Sequence, residues 1–176
     1  MKQQIRFFTA LTFLPFFCAG LNAQVQLTKI DWQMSRIEGK EKMPFATIQE
    51  LKLAPYQKYP HQLRAVVTAQ NASAKPAEGL VLRCALSLHI IKVADAADAG
   101  FWAVPFKVEE VRISRIPPGG IYEAKLIHSA LNEQLKKLRN TGFWADALKL
   151  QTMLDPKNGD EPVKIMKDGV IGIIKP

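Results

Sequence analysis

The chain has 176 residues, of which 48% are hydrophobic and 23% are charged, with a formal net charge of +8 and two cysteines. This composition is typical of one globular domain. It excludes a collagen-like or low-complexity chain, a polytopic membrane protein and a small domain stapled by disulfides.

Residues 1–23 have the features of a signal peptide. Lys2 and Arg6 precede an uncharged apolar run over residues 7–21, and Ala23 is the small residue that a cleavage site requires. An uncleaved N-terminal anchor is the alternative. Lipoprotein processing at Cys18 is a poor fit, because a bulky phenylalanine precedes that cysteine.

Cleavage would change the charge of the chain. It would remove two of the 24 Lys and Arg and none of the 16 Asp and Glu, so 22 basic against 16 acidic residues leave +6. The densest basic spot, Lys136, Lys137 and Arg139, is explained by a solvated helix face. We therefore expect export to the periplasm, the outer membrane surface or the extracellular space, and no nucleic-acid partner.

Alternation of apolar and polar residues predicts strands in the first half of the mature chain. Residues 45–53 are ambiguous, since Thr47 and Glu50 have capping-box spacing while Ile48, Leu51 and Leu53 suit a short strand. The predicted inward-facing residues are Thr28, Ile30, Trp32 and Met34 in residues 26–34, then Leu63, Ala65, Val67 and Ala69 in residues 63–70, then Leu80, Leu82, Cys84, Leu86, Leu88 and Ile90.

After cleavage Cys84 would be the only cysteine, so no internal disulfide could form. Cys84 is one of the inward-facing residues of its predicted strand, so we expect it to be buried as a small hydrophobic side chain. A reactive thiol would need an exposed, electropositive setting. An intermolecular disulfide is the alternative.

The second half continues the pattern around one helix. An extended run carries Trp102, Val104, Phe106 and Val108 on one face and continues through Val111 and Ile113 to a tight turn at residues 117–120. Tyr122, Ala124, Leu126 and His128 face one way from the next strand. Leu131, Leu135 and Leu138 predict a short helix ended by Gly142, and residues 144–154 predict a strand with Leu148, Leu150 and Leu154 inward.

These elements predict an all-β antiparallel sandwich with one short helix near residues 130–140. The sandwich domain would span residues 24–160, with a turn at residues 158–160. Residues 161–176 would form a C-terminal tail, or a hairpin around Asp168 and Gly169. A tail so rich in branched apolar residues could also pair with a neighbouring sheet edge, which would allow self-association.

Residues 63–155 resemble a bacterial immunoglobulin-like, adhesion-type domain. The resemblance rests on two apolar strands that flank Gln70, Asn71 and the loop at residues 75–79, and on the later Pro118 and Gly119 turn. It implies an immunoglobulin-like fold and a role in binding, adhesion or assembly. The chain departs from antibody-type domains, because it lacks their paired cysteines and carries the extra helix.

The sequence contains no catalytic or metal-binding constellation. His61, His89 and His128 are isolated from one another. Residues 155–161 follow a calcium-loop pattern only in part, since Lys157 stands where an oxygen ligand belongs, and Asp95 and Asp98 fit a solvated turn. We predict no catalytic residue, no metal and no cofactor. Residues 71–73 form a glycosylation sequon.

A short internal echo supplies the candidate binding residues. Gly-Phe-Trp-Ala occurs at residues 100–103 and again at residues 142–145, each time at a predicted strand opening. Phe101, Trp102, Phe143 and Trp144 could form a platform for a sugar or a partner. The alternative is that one ring of each pair is core and the other covers a sheet edge.

We therefore expect an exported, non-enzymatic binding or structural protein of the bacterial cell envelope. It would act in adhesion or assembly, for example in a pilus, with other envelope or appendage proteins as partners. A carbohydrate-binding module that uses exposed aromatic residues is the alternative, with a glycan as ligand. An enzyme is the third hypothesis.

Overall fold

The computed structural model describes residues 25–53, 58–92, 99–138, 141–157 and 160–174. The predicted signal peptide, Asp95, Asp98 and the first two residues of the predicted turn at residues 158–160 lie outside these ranges. No helix within them is long and apolar enough to cross a membrane. The elements are β1 (Val25–Ser35), β2 (Ile37–Glu38), β3 (Glu41–Lys42), β4 (Ala46–Thr47), β5 (Glu50–Lys52), β6 (Gln62–Asn71), β7 (Ala77–Lys92), β8 (Phe101–Trp102), β9 (Lys107–Ile116), β10 (Ile121–Ile127), α1 (Leu131–Lys137), β11 (Phe143–Leu154), α2 (Pro162–Ile165) and β12 (Met166–Ile174).

The strands form two main sheets and one small ribbon. The first sheet has the order β10-β6-β1-β4, and the second has the order β5-β12-β11-β7-β8, with β9 pairing with β7 beside β8. Neighbouring strands are antiparallel except β5 and β12, which are parallel. The ribbon is the β2–β3 hairpin within the charged loop after β1. The chain is thus an all-β sandwich, as the sequence predicted.

Most of the predicted inward-facing residues form the core between the sheets. Each long strand buries every second side chain because the pleat directs it towards the opposite sheet. Confirmed members include Leu63, Ala65, Val67 and Ala69 of β6, Leu80, Leu82, Cys84, Leu86 and Leu88 of β7, and Leu148, Leu150 and Leu154 of β11. Leu131 and Leu135 of α1 close one end of this core, which confirms the predicted helix.

β1 departs from the predicted alternation at one point. A bulge between Leu27 and Lys29 shifts the pairing with β6 by one residue. Val25 and Leu27 are therefore buried before the bulge and Trp32 after it, while Thr28, predicted to face inward, is exposed. A bulge inserts one extra residue into the strand, so the side chains before it alternate between the two faces of the sheet in the opposite order to those after it.

The run after residue 100 was predicted as one strand, and this prediction is wrong. β8 and β9 are separated by four residues that include Pro105, which has no N–H to donate to the ladder. In β9 the side chains that face inward are not those predicted for residues 102–108. Val111 and Ile113 face inward, while Val108 is 68% exposed. The turn that follows is as predicted, with Gly120 N–H donating to Pro117 O at 2.9 Å.

Two uncertain segments are resolved as strands. Residues 46–47 and 50–52 form β4 and β5, so the capping-box spacing does not start a helix there. The tail does not form its own hairpin: Met166–Ile174 is one strand that pairs with β11 and, near its end, with β5. A Cβ at Gly169 would lie 2.6 Å from Ile30 Cγ2, so this glycine permits close packing rather than a turn.

The tail is therefore part of the sandwich. Both neighbours of β12 belong to its own chain, and α2 packs against β1. Self-association through the tail would require β12 to leave this sheet.

Candidate interaction site

The fold brings the two Phe-Trp pairs to the same end of β7, one on each side. Trp102 pairs with His89 and Phe101 with Ile90, while Trp144 and Phe143 pair with the next two residues of β7. Phe101 is 55% exposed and Trp102 39% exposed, whereas Phe143 is half-buried and Trp144 belongs to the core. The four rings are adjacent in the fold, but they do not form one exposed platform.

The two glycines of the echo serve different purposes. A Cβ at Gly100 would lie 2.3 Å from His89 Cε1 and 2.5 Å from Ile91 Cγ2, so this position leaves room for two side chains of β7. Gly142 adopts φ +78°, a conformation that favours glycine, and has open space around it. The first glycine is thus explained by close packing and the second by its backbone conformation, so the two copies of the repeat have different structural reasons.

His89 is the centre of a polar and aromatic cluster beside Trp102. Its Nδ1 lies 2.7 Å from Asp146 Oδ1, and its ring centroid is 5.0 Å from that of Trp102. The Lys149 ammonium lies 4.3 Å from the Trp102 centroid, a cation–π contact. These contacts fix the Trp102 ring and cover part of its surface.

A second bulge places the carboxylate of this cluster. The pairing of β11 with β7 shifts between Ala145 and Ala147, which makes Asp146 the extra residue. Bulges often redirect a side chain in this way. Trp102 was a predicted site residue, but sequence reasoning missed His89, Asp146 and Lys149. The sequence could have indicated His89 and Lys149, because both alternate with the inward-facing residues of their predicted strands and so point outward.

The described residues near this cluster include no activated nucleophile. Ser87 lies two residues from His89 on the same strand face, but it is only 2% exposed, and no hydrogen bond joins it to His89 in the described part of the chain. Burial raises the pKa of Cys84 to about 12, with a further contribution from Glu109, so its thiol stays protonated at neutral pH. The described residues contain no group of three metal-ligating side chains.

Trp102 belongs to a larger surface, the outer face of the second sheet. Strand register places Val108, Ala85, Gln151 and Asp168 in one row across four strands, and Glu110, Arg83, Met153 and Met166 in the next. Residues opposite each other in antiparallel pairs share a face. Between these rows lies a shallow groove of about 240 Å³, lined by Ala85, Val108, Met153 and Met166 among others.

The outer face of the first sheet is different in character. It exposes Ile121 and Ile127 on its edge strand β10, opposite Gln70 and Arg64, but its other side chains are mainly polar. The second sheet instead exposes Trp102, Val108, Met166 and Val170. Since exposed apolar side chains that share one face often mark an interaction site, the second sheet is the better candidate.

A cleft elsewhere in the molecule contains none of the predicted site residues. It has a volume of about 650 Å³ and lies between the end of β1, β2 and β5. Met34 and Ile48 line it together with charged side chains that include Arg36, Glu38 and His61. Its charged lining sets it apart from the apolar groove on the second sheet.

We expect the Gly100→Ala substitution to lower the free energy of unfolding by about 1–3 kcal/mol, because the new Cβ must displace His89 and Ile91. Gly172→Ala is the matched control, since a Cβ at that strand glycine would meet nothing within 4 Å. Chemical denaturation of both variants measures the difference. Equal stability of the two variants would contradict the assigned role of Gly100.

Comparison with known proteins gives little further information. No family model matches the chain, and no curated protein matches it in sequence. Among solved structures, a β-glucosidase from Erythrobacter marinus aligns with 86% of this chain at 10% sequence identity and a TM-score of 0.37. The aligned part is 16% of the β-glucosidase chain, and a similarity this low carries no argument about fold or function.

Proposed function

We propose that the protein is an exported, non-enzymatic binding protein of the bacterial cell envelope that contacts another envelope or appendage protein. The observation that supports this proposal is the outer face of the second sheet, where Trp102, Val108, Met166 and Val170 are exposed around an apolar groove. Aromatic and methionine side chains are enriched at the centres of protein interfaces.

The export part of the proposal rests on residues 1–23. Their charged start, apolar run and small terminal residue are the features that a secretory signal requires. The resemblance of residues 63–155 to bacterial immunoglobulin-like adhesion domains adds support for a role in adhesion or assembly, for example in a pilus.

The test is the capture of envelope proteins with the purified chain and with two variants. Met166→Asp introduces a charge into the apolar groove and should abolish recovery of a specific envelope protein, identified by mass spectrometry. Val163→Asp introduces the same charge at a valine that is 88% exposed in α2 and does not line the groove, and it should leave recovery unchanged. Equal recovery with both variants would rule out the groove as the binding surface.

The carbohydrate-binding alternative depends on Phe101 and Trp102, the two exposed members of the aromatic set. Sugars bind to aromatic ring faces. The ammonium of Lys149 lies over the Trp102 ring, and the adjacent Phe101 occupies the next position of β8. Glycan-array binding that Trp102→Ala removes would favour this alternative, while an array without binding would exclude the glycans tested.

A further inference from the structure

β9 is a long free edge of the second sheet. Its ten residues pair with β7 on one side, and no other strand of the described chain pairs with the opposite side. The edge strands β10 and β5 are shorter, at seven and three residues. An unpaired edge presents N–H and C=O groups that can pair with a strand from another molecule.

Two charged residues stand on the outer face of this edge. Glu110 lies 3.6 Å from Arg83, but Arg83 makes its closer contact, 2.6 Å, with Asp155. Arg112 has no ion-pair partner within the described ranges. One carboxylate and one guanidinium, two residues apart, are therefore available at the edge.

We propose that two copies of this chain associate by antiparallel pairing of β9 with β9, centred on Val111. In such a pair, a residue before Val111 in one copy faces the residue the same distance after Val111 in the other copy. Glu110 of each copy therefore lies opposite Arg112 of the other. The two-fold symmetry forms this ion pair twice. Because cross-strand opposite charges attract and like charges repel, the arrangement favours association.

The neighbouring symmetric registers are unfavourable. Centring the pair on Glu110 or on Arg112 places two like charges directly opposite each other. Charged edge strands commonly prevent pairing between molecules. The charges of β9 instead select one register, in which Val111 of one copy meets Val111 of the other.

Near the ends of β9 this register is tolerated. Lys107 of each copy lies opposite Arg115 of the other, but each has a carboxylate partner in its own chain. Lys107 lies 2.7 Å from Glu109, and Arg115 lies 3.6 Å from Glu78. Their mutual repulsion is therefore partly compensated. This association goes beyond the proposed function, because it uses a strand edge rather than the apolar groove.

Sedimentation equilibrium of the chain and its charge variants tests the proposal. We expect a concentration-dependent dimer, and we expect Glu110→Arg and Arg112→Glu each to raise its dissociation constant at least about tenfold. An equimolar mixture of the two variants should form a heterodimer, because every cross-copy pair then joins opposite charges. The double variant that carries both substitutions should again form a homodimer.

Lys125→Glu is the matched control. It reverses a charge on the other edge strand, β10, and should leave the dissociation constant unchanged. Thermal unfolding of each variant establishes that it is folded. A chain that remains monomeric at millimolar concentration, or a dimer that none of these charge reversals weakens, would overturn the proposal. Either result leaves the test with Met166→Asp unaffected, since that residue lies on β12, three strands away from β9.

Discussion

Replacing Asn71 with alanine is expected to lower the free energy of unfolding by about 3–4 kcal/mol, since one buried and three part-buried backbone groups lose their partner. The Asn71 amide nitrogen donates to Lys75 O at 2.8 Å and to Ile116 O and Pro117 O at 3.1 Å. Its oxygen accepts hydrogen bonds from the backbone N–H and the hydroxyl of Ser73. One fully buried side chain thus joins the β6–β7 loop to the β9–β10 turn.

Thermal and chemical denaturation measure this loss, which should appear as a fall of about 10 °C in Tm for a domain of this size. Asn71→Asp is the informative second variant, because it replaces the donating NH₂ with an oxygen that faces three carbonyl oxygens. It should be at least as destabilised as Asn71→Ala at neutral pH. Gln70→Ala, at the neighbouring half-buried position, should change stability by no more than about 0.5 kcal/mol. A stable Asn71→Asp variant would contradict the assigned hydrogen bonds.

The same contacts give the glycosylation sequon a structural meaning. The nitrogen that would carry a glycan is buried and donates to backbone carbonyls, while Ser73 Oγ, which donates to the Asn71 oxygen, also lies 2.8 Å from Lys75 O. The Asn-Ala-Ser sequence is therefore accounted for by the end of β6 and the loop that follows it.

Sequence alternation predicted the long strands because each buries one face over many residues. Leu80 to Leu88 and Leu63 to Ala69 illustrate this, as the same phase holds through the whole strand. The errors occur where a local signal was overridden by contacts between distant parts of the chain. Gly169 has the sequence context of a turn, but it lies within β12 because β11 offers a long partner and Ile30 occupies the space above it.

The candidate site was predictable only in part. The aromatic residues could be found from the echo, yet burial of Trp144 and exposure of Trp102 depend on how the two segments meet β7. The contact between His89 and Asp146 joins residues far apart in sequence and depends on a bulge in β11. Strand register and bulges are set by tertiary packing, so no local pattern in the sequence specifies them.

Acidification is expected to destabilise the protein through His128, the last inward-facing residue after β10. Its side chain is buried against Trp32, with ring centroids 5.5 Å apart, and neither ring nitrogen has a hydrogen-bond partner among the described residues. Burial, and to a lesser extent the positive charge of Lys107, together lower the pKa of His128 from 6.5 to about 4. The folded state therefore disfavours the protonated imidazole.

The sign of the effect follows from proton binding. Between pH 6.5 and about pH 4 the unfolded chain binds a proton at His128 that the folded chain does not, so stability falls as the pH falls through this window. We expect a loss of about 2 kcal/mol between pH 7 and pH 5, approaching about 3 kcal/mol below pH 4. Urea denaturation across this range measures the loss directly.

His128→Leu should remove this part of the pH dependence, because leucine fills a similar volume and binds no proton. Lys107→Met should reduce it, since the second cause of the lowered pKa is then absent. His61→Leu is the control at a half-buried histidine elsewhere in the sandwich and should retain the full dependence. If stability of the His128→Leu variant fell between pH 7 and pH 5 as steeply as that of the unmodified chain, His128 would not be the group that titrates.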